Sequence, residues 1–214
     1  MSEAGRRTPL HAEHLALGAR MVDFAGWQMP VQYAGIIEEH NAVRSGVGIF
    51  DVSHMGEFRL FGPGAKESLQ RIVTNDLDRI DALGDALYTV MCDDDGGIID
   101  DLIVYHSGDS EYLIVVNASN RETDWDWMRS HLPEDVEFAD ESDRTALIAV
   151  QGPGALGVIG ELAGDGWTAP HRSVWARPRS TISRCYWRAR AIRERTESRS
   201  SATFRRLWGS GGCC

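Results

Sequence analysis

The chain has no apolar run near the roughly 18 residues a membrane span needs. Its opening stretch, MSEAGRRTPL, lacks the apolar segment of a signal peptide and is too short and mixed for a transit peptide. Both absences predict a cytoplasmic protein with no membrane partner. Cysteine is scarce: Cys92, Cys185, Cys213 and Cys214 form no CxxC pair and no metal-type spacing, so no metal is expected. Cys92 stands alone in the first 166 residues, which suits a reducing compartment and a small buried hydrophobe. No GxGxxG or GxxxxGKS/T motif occurs, which argues against a nucleotide-phosphate cradle. Internal repeats and low-complexity linkers are also missing before residue 167.

Basic side chains are the next shortage. Residues 1–166 hold 30 acidic against 11 basic side chains, with Lys66 the single lysine. So negative a body repels nucleic acid, and no nucleic-acid partner is expected. The balance reverses after Gly166. Residues 167–214 hold 11 arginines, no lysine, and only Glu194 and Glu197 as acids. This splits the chain into an acidic body, 1–166, and an arginine-rich tail, 167–214. Three readings of the tail compete. It could be a basic arm for acidic partners. It could continue the fold, although hydrophobic periodicity is missing. It could also be codons read out of frame, never selected to fold; this reading is preferred because the tail's local signals conflict.

What is present in the body reads as α+β. Apolar spacing predicts helices over 11–21, 36–45, 63–73, 120–131 and 155–163, with Pro63 at a helix start and Trp125 and Met128 packed inward. Alternation predicts strands over 57–61, 86–92, 98–106, 112–117 and 145–151. Asp93 to Gly97 is a turn by composition, and a second joins the strands at 107–109. Strands at hairpin spacing with helices in separate blocks argue for antiparallel sheets with helices on one face.

Three segments carry chemistry: VDFAGWQMPVQY at 22–33, GIFDVSHMGE at 48–57 and GGIIDDLIVY at 96–105. Each alone has a plain reading. The first fits an aromatic loop plugging a core, and His54 fits a satisfied half-buried histidine. The Asp100-Asp101 pair fits a solvated turn end. Strand parity adds more. Asp100 and Asp101 face opposite sides of a sheet, so one can be solvated while the other points into a cavity. Asp101, Ile103 and Tyr105 then share a stripe of one acid, one apolar wall and one aromatic, which suits a flat, partly apolar heterocycle.

Taken in order, with TPL at 8–10, ND at 75–76, ALYTVMC at 86–92 and ALIAVQGP at 146–153, these segments resemble the glycine cleavage T protein family, the aminomethyltransferases. The resemblance runs from residue 8 to about 166. It implies a truncated aminomethyltransferase folate-binding fold. It also implies transfer of a one-carbon unit from an aminomethylated lipoyl arm, carried by the partner H protein, to tetrahydrofolate, with release of ammonia. No metal is part of that chemistry. Asp101 matches the family's catalytic aspartate, which orients the pterin amines and stabilises the cationic carbon in transfer. Tyr88 resembles a folate-contacting tyrosine, or is a core aromatic. Asn117 resembles an asparagine bonding the pterin edge, or is a strand-end cap. Met55 lines the pocket, or is a core methionine.

Family chains are longer. Their later tyrosine, pterin-anchoring glutamate and folate-tail arginines find no match here. Two outcomes follow: an aminomethyltransferase, or a catalytically inactive fragment that binds folate. A folate-dependent demethylase module is a weaker third. If the tail is read out of frame, sequencing the genomic locus will show a frame change near codon 166. An intact frame giving the same translation would exclude it.

Overall fold

A computed structural model describes residues 5–163 and the strand Cys185–Arg188; side chains are described through residue 161. The rest of the tail, and with it the reading of its frame, lies outside the described residues. In chain order the elements are β1 (Arg6–Arg7), α1 (His11–Ala16), β2 (Arg20–Phe24), β3 (Trp27–Gln32), α2 (Ile36–Ser45), β4 (Gly48–Asp51), β5 (Gly56–Phe61) and α3 (Ala65–Ile72). They continue as β6 (Ala86–Cys92), β7 (Ile98–Gly108), β8 (Glu111–Val116), α4 (Arg121–His131), β9 (Glu137–Asp140), β10 (Leu147–Gln151), α5 (Ala155–Ala163) and β11 (Cys185–Arg188). They fall into two compact units, divided after His54 and again after Arg144.

In the first unit β2 and β3 form an antiparallel hairpin around Ala25 and Gly26, and β1 joins β3 in parallel. In a second sheet β10 pairs antiparallel with β4 and β11. Val150, Ala155 and Ile159 are buried against Val47, Ile49 and Ile148. A polar chain is buried as well. The His14 ring lies 2.9 Å from the Asp51 carboxylate through Nε2 and 2.8 Å from the Tyr33 hydroxyl through Nδ1. With the carboxylate as acceptor, Nε2 carries the proton and Nδ1 accepts from Tyr33. Burial would raise Asp51, but hydrogen bonds from His14 and Ser53 outweigh it and hold the carboxyl below its usual range. Glu39 ties the start of α2, accepting from the Tyr33 and Gly35 amides at 2.6 and 3.0 Å.

The expected helix over 11–21 stops at Ala16. Gly18 takes a left-handed φ of 75°, the chain turns, and Met21 enters β2. The segment expected as an aromatic loop is the β2–β3 hairpin, and Arg6 stacks on Trp27 there, 4.8 Å from the ring centre. The short strands β4 and β9 were not expected.

The second unit, Met55–Arg144, is a five-stranded sheet in the order β6-β7-β8-β5-β9, antiparallel throughout. The fold class expected from the pattern is thus observed. Alternation along the strands sets two faces. Leu87, Met91, Leu102, Val104, Ile114, Val116, Phe58 and Leu60 point to one of them. There they meet Ala65, Leu69 and Ile72 of α3 and Met128 of α4, so both helices cover the same face. Spacings of i, i+4 and i+7 put the α3 residues on one stripe. Trp125 stacks on Phe138 at 4.4 Å between ring centres and closes one edge of this core.

In the first unit, Gly152 follows β10 at a φ of 112°. A Cβ there would stand 2.6 Å from the Val43 carbonyl oxygen and closer still to that of Gly46. Gly152→Ala adds backbone strain to that clash and should destabilise the unit by about 3 kcal/mol. Urea unfolding checks this; an unchanged midpoint would contradict it.

Candidate active site

A tight turn sets the site's register. The Asp93 side chain accepts from the Asp95 and Gly97 amides at 3.1 and 2.7 Å, and the Asp93 amide donates to the Gly97 carbonyl at 2.8 Å. The hairpin so closed pairs Tyr88 with Ile103 and Val90 with Asp101. Tyr88 and Asp101 are therefore diagonal neighbours across β6 and β7, within reach of a long aromatic side chain. The Tyr88 hydroxyl donates to Asp101 Oδ2 at 2.9 Å.

β8 supplies the second partner. Asn117 follows its last residue, and its Nδ2 donates to the Asp101 backbone carbonyl at 3.0 Å and to Asp101 Oδ1 at 3.3 Å. Both oxygens of the Asp101 carboxylate are thus held by neutral donors. Ile103 and Tyr105 follow on the same face, half-buried, paired with Val115 and Leu113 of β8. Exposure falls along this second face from Tyr88, 39% exposed on the edge strand, to Val115 and Leu113, both buried. Met55 is half-buried one residue before the Gly56–Val116 pair, at the sheet end where Asn117 stands.

The expected parity of the Asp-Asp pair holds, but the burial is reversed. Asp101 is exposed, while Asp100 is 4% exposed and points to the helix-covered face beside Leu102 and Val104. The physical reason is that the even positions of β7 face the core, so the odd stripe is the accessible one. Asp100 survives burial through its donors. Its Oδ2 accepts from the Asn117 amide at 3.0 Å, and its Oδ1 from the side-chain amides of Asn117 and Asn120, each at 2.8 Å. Burial alone would raise this carboxyl, but these bonds together hold it below its usual range.

Asp101, Ile103 and Tyr105 were expected on one stripe, and the structure brings Tyr88 and Asn117 to the same stretch of sheet, with Met55 at its end. Not legible in the sequence was the layer beneath: Asp100 as a buried carboxylate, Asn120 at the head of α4, and Asp124 one turn in. The missed signal was an acid, Asp124, in the same helical stripe as Met128. Among the described residues no group of three or more His, Cys, Asp and Glu is placed to hold a metal, and no helix is long and apolar enough to cross a membrane.

An oriented carboxylate with aromatic and aliphatic neighbours is thus carried on the strands of an antiparallel α+β sheet. The comparisons give the family. The family model described as GCVT N-terminal domain matches residues 10–193, and the chain belongs to this family, that of the aminomethyltransferases. The aminomethyltransferase of Halothermothrix orenii is 54% identical over 158 residues, which are 74% of this chain and 44% of that protein. That of Thermotoga maritima is 53% identical over 162 residues, again 44% of its length. The crystal structure of glycine cleavage system aminomethyltransferase T from Bartonella henselae superposes with a TM-score of 0.69 at 30% identity, covering 76% of this chain and 45% of that one. The chain therefore spans less than half the length of these relatives.

The Tyr88 phenol is pushed above its ordinary value, first by its hydrogen bond to Asp101, then by burial and by the charge of Asp101. Replacing Asp101 with Asn removes the charged acceptor, so the Tyr88 phenol should ionise at lower pH. NMR titration of the tyrosine ring carbons checks this, and an unmoved midpoint would contradict the pairing.

Proposed function

We propose that this chain carries the folate-facing carboxylate of an aminomethyltransferase of the glycine cleavage system. Asp101 is the catalytic residue, and the observation that carries the reading is its carboxylate, fixed at both oxygens by Tyr88 and Asn117 on an accessible face. The acceptor is tetrahydrofolate and the donor partner is the lipoylated H protein. No metal is involved. A pterin laid on the second face would set its flat ring against Ile103 and the Tyr105 ring, with Met55 closing the end beside Asn117. Both N–H groups of the Asn117 amide are spent on Asp100 and Asp101, so its Oδ1 is the atom left to accept from a pterin N–H.

Asp101 acts in three ways in this reading. It orients the reactive amines by accepting hydrogen bonds from them. It takes part in moving the proton released as the nitrogen forms its new bond to carbon. It stabilises the cationic one-carbon unit between the thioether sulfur it leaves and the folate nitrogen it joins. Because the neutral donors are already in place, little reorganisation is needed when that charge develops. A cytoplasmic location fits the acidic body and its single cysteine.

The alternative is a chain that binds folate without turnover. Incubating the chain with aminomethylated H protein and tetrahydrofolate, and measuring ammonia, separates the two. The proposal expects ammonia above the uncatalysed rate, and Asp101→Asn should lower it by about 100-fold or more with the fold intact. Ammonia at the background rate would leave the binding fragment, and an unaffected Asp101→Asn would refute the assignment.

A further inference from the structure

The reading above uses only one member of the Asp-Asp pair. Asp100, on the other face, meets a second buried acid. Asp124 lies in the first turn of α4 and is 0% exposed. As a carboxylate it would have both oxygens buried with no N–H or O–H donor. Asn120, one turn before it at the head of α4, reaches Asp100 Oδ1 at 2.8 Å, and the Asp124 and Asp100 carboxyls interact side chain to side chain. Two acids share a hydrogen bond only when one of them holds a proton. Asp100 already accepts from three N–H groups, which favour its charged form, so the proton belongs to Asp124.

We propose that Asp124 is a positioning residue for the Asp101 site, a neutral acid that donates to Asp100 and so fixes Asn117, whose amide holds Asp101 across the strand. The proposal rests on reading Asp101 as the folate-facing carboxylate. The link runs through single shared atoms. Asn117 Nδ2 reaches Asp100 Oδ1 at 2.8 Å and Asp101 Oδ1 at 3.3 Å, so one amide bridges the two faces. Loss of the Asp124 proton would leave two anions facing each other in a buried site. Among the described residues, the charge acting on Asp124 is that of Asp100. On its own helix Arg121 is held by Asp140 and Asp143 at 2.7 and 3.0 Å and does not neutralise it. Asp100 must then shift or give up donors, and Asn117 is re-aimed with it. Burial, followed by the hydrogen bond to Asp100 and its charge, pushes the Asp124 carboxyl up to about 8.

The test is NMR on the full ligand-free chain, in the wild type, Asp124→Asn and Asp124→Ala. The Asn117 side-chain amide and the carboxyl carbons of Asp101 and Asp124 are followed between about pH 6 and about pH 10. In the wild type all three should move together, with one midpoint near pH 8. Asp124→Asn, whose amide donates in place of the acid, should keep the low-pH Asn117 signal throughout. Asp124→Ala should displace that signal at every pH. Should the alanine variant not fold, the other two proteins decide. A wild-type Asn117 amide that stays still while Asp124 titrates, a transition that survives in Asp124→Asn, or an Asp124 titrating in the ordinary carboxylate range would overturn the proposal.

Linkage gives a second readout. The folded-state value is raised above the unfolded 3.8, so the contribution is fully present below 3.8 and is lost as pH rises to about 8. Asp124→Asn should remove that slope from the unfolding free energy. Tetrahydrofolate binding on the same samples tests the other reading separately. An intact Asp124 transition without folate binding would refute the folate role of Asp101 and leave the positioning link standing.

Discussion

A carboxylate on the apolar side of a sheet must be neutralised by hydrogen bonds, and at Asp100 that requirement organises everything around it. An isolated buried charge costs several kcal/mol even after relaxation. The charge of Asp100 is met by neutral donors from two directions: the backbone and side chain of Asn117, just after β8, and the side chain of Asn120, at the head of α4. Meeting it therefore sets where β8 ends and how the start of α4 sits against β7. The same bonds explain why Asn117 cannot be a free-swinging strand-end amide.

The site on the other face inherits that rigidity. Asp101 is exposed, yet it is not a loose surface acid, because Tyr88 holds one oxygen and Asn117 the other. A group kept in one geometry before substrate arrives has less entropy to lose and less dipole to reorient during reaction. The sheet thus separates two tasks. Its core-facing side, packed by α3 and α4, supplies stability, while its second face presents a fixed carboxylate with aliphatic and aromatic flanks.

Much of this was legible in the chain itself, for identifiable reasons. Strand β6 was read at its observed bounds because a short, largely apolar run, ALYTVMC, stands between Gly84-Asp85 and the Asp93 turn, and α2 because its apolar and charged residues part onto two sides. The end of α1 was overrun because Gly18 was read through rather than as a stop. The β2–β3 hairpin hid inside a segment conspicuous as a motif. Strands β4 and β9, four residues each, are too short for alternation to stand out. The face of Asp101 followed from parity, but which face is buried is a tertiary fact, set by α3 and α4. The Asp124 layer was illegible for the same kind of reason, since an acid among core positions has meaning only once its partner, 24 residues away in the chain, is known.

The central claim is that the second face around Asp101 receives a folate ring. Titrating the chain with tetrahydrofolate while recording intermolecular nuclear Overhauser effects addresses it most directly. Contacts are expected from pterin protons to the Ile103 methyl groups and the Tyr105 ring, with the Asn117 amide shifting in step. Contacts confined to other surfaces, or none at these three residues at saturation, would contradict it.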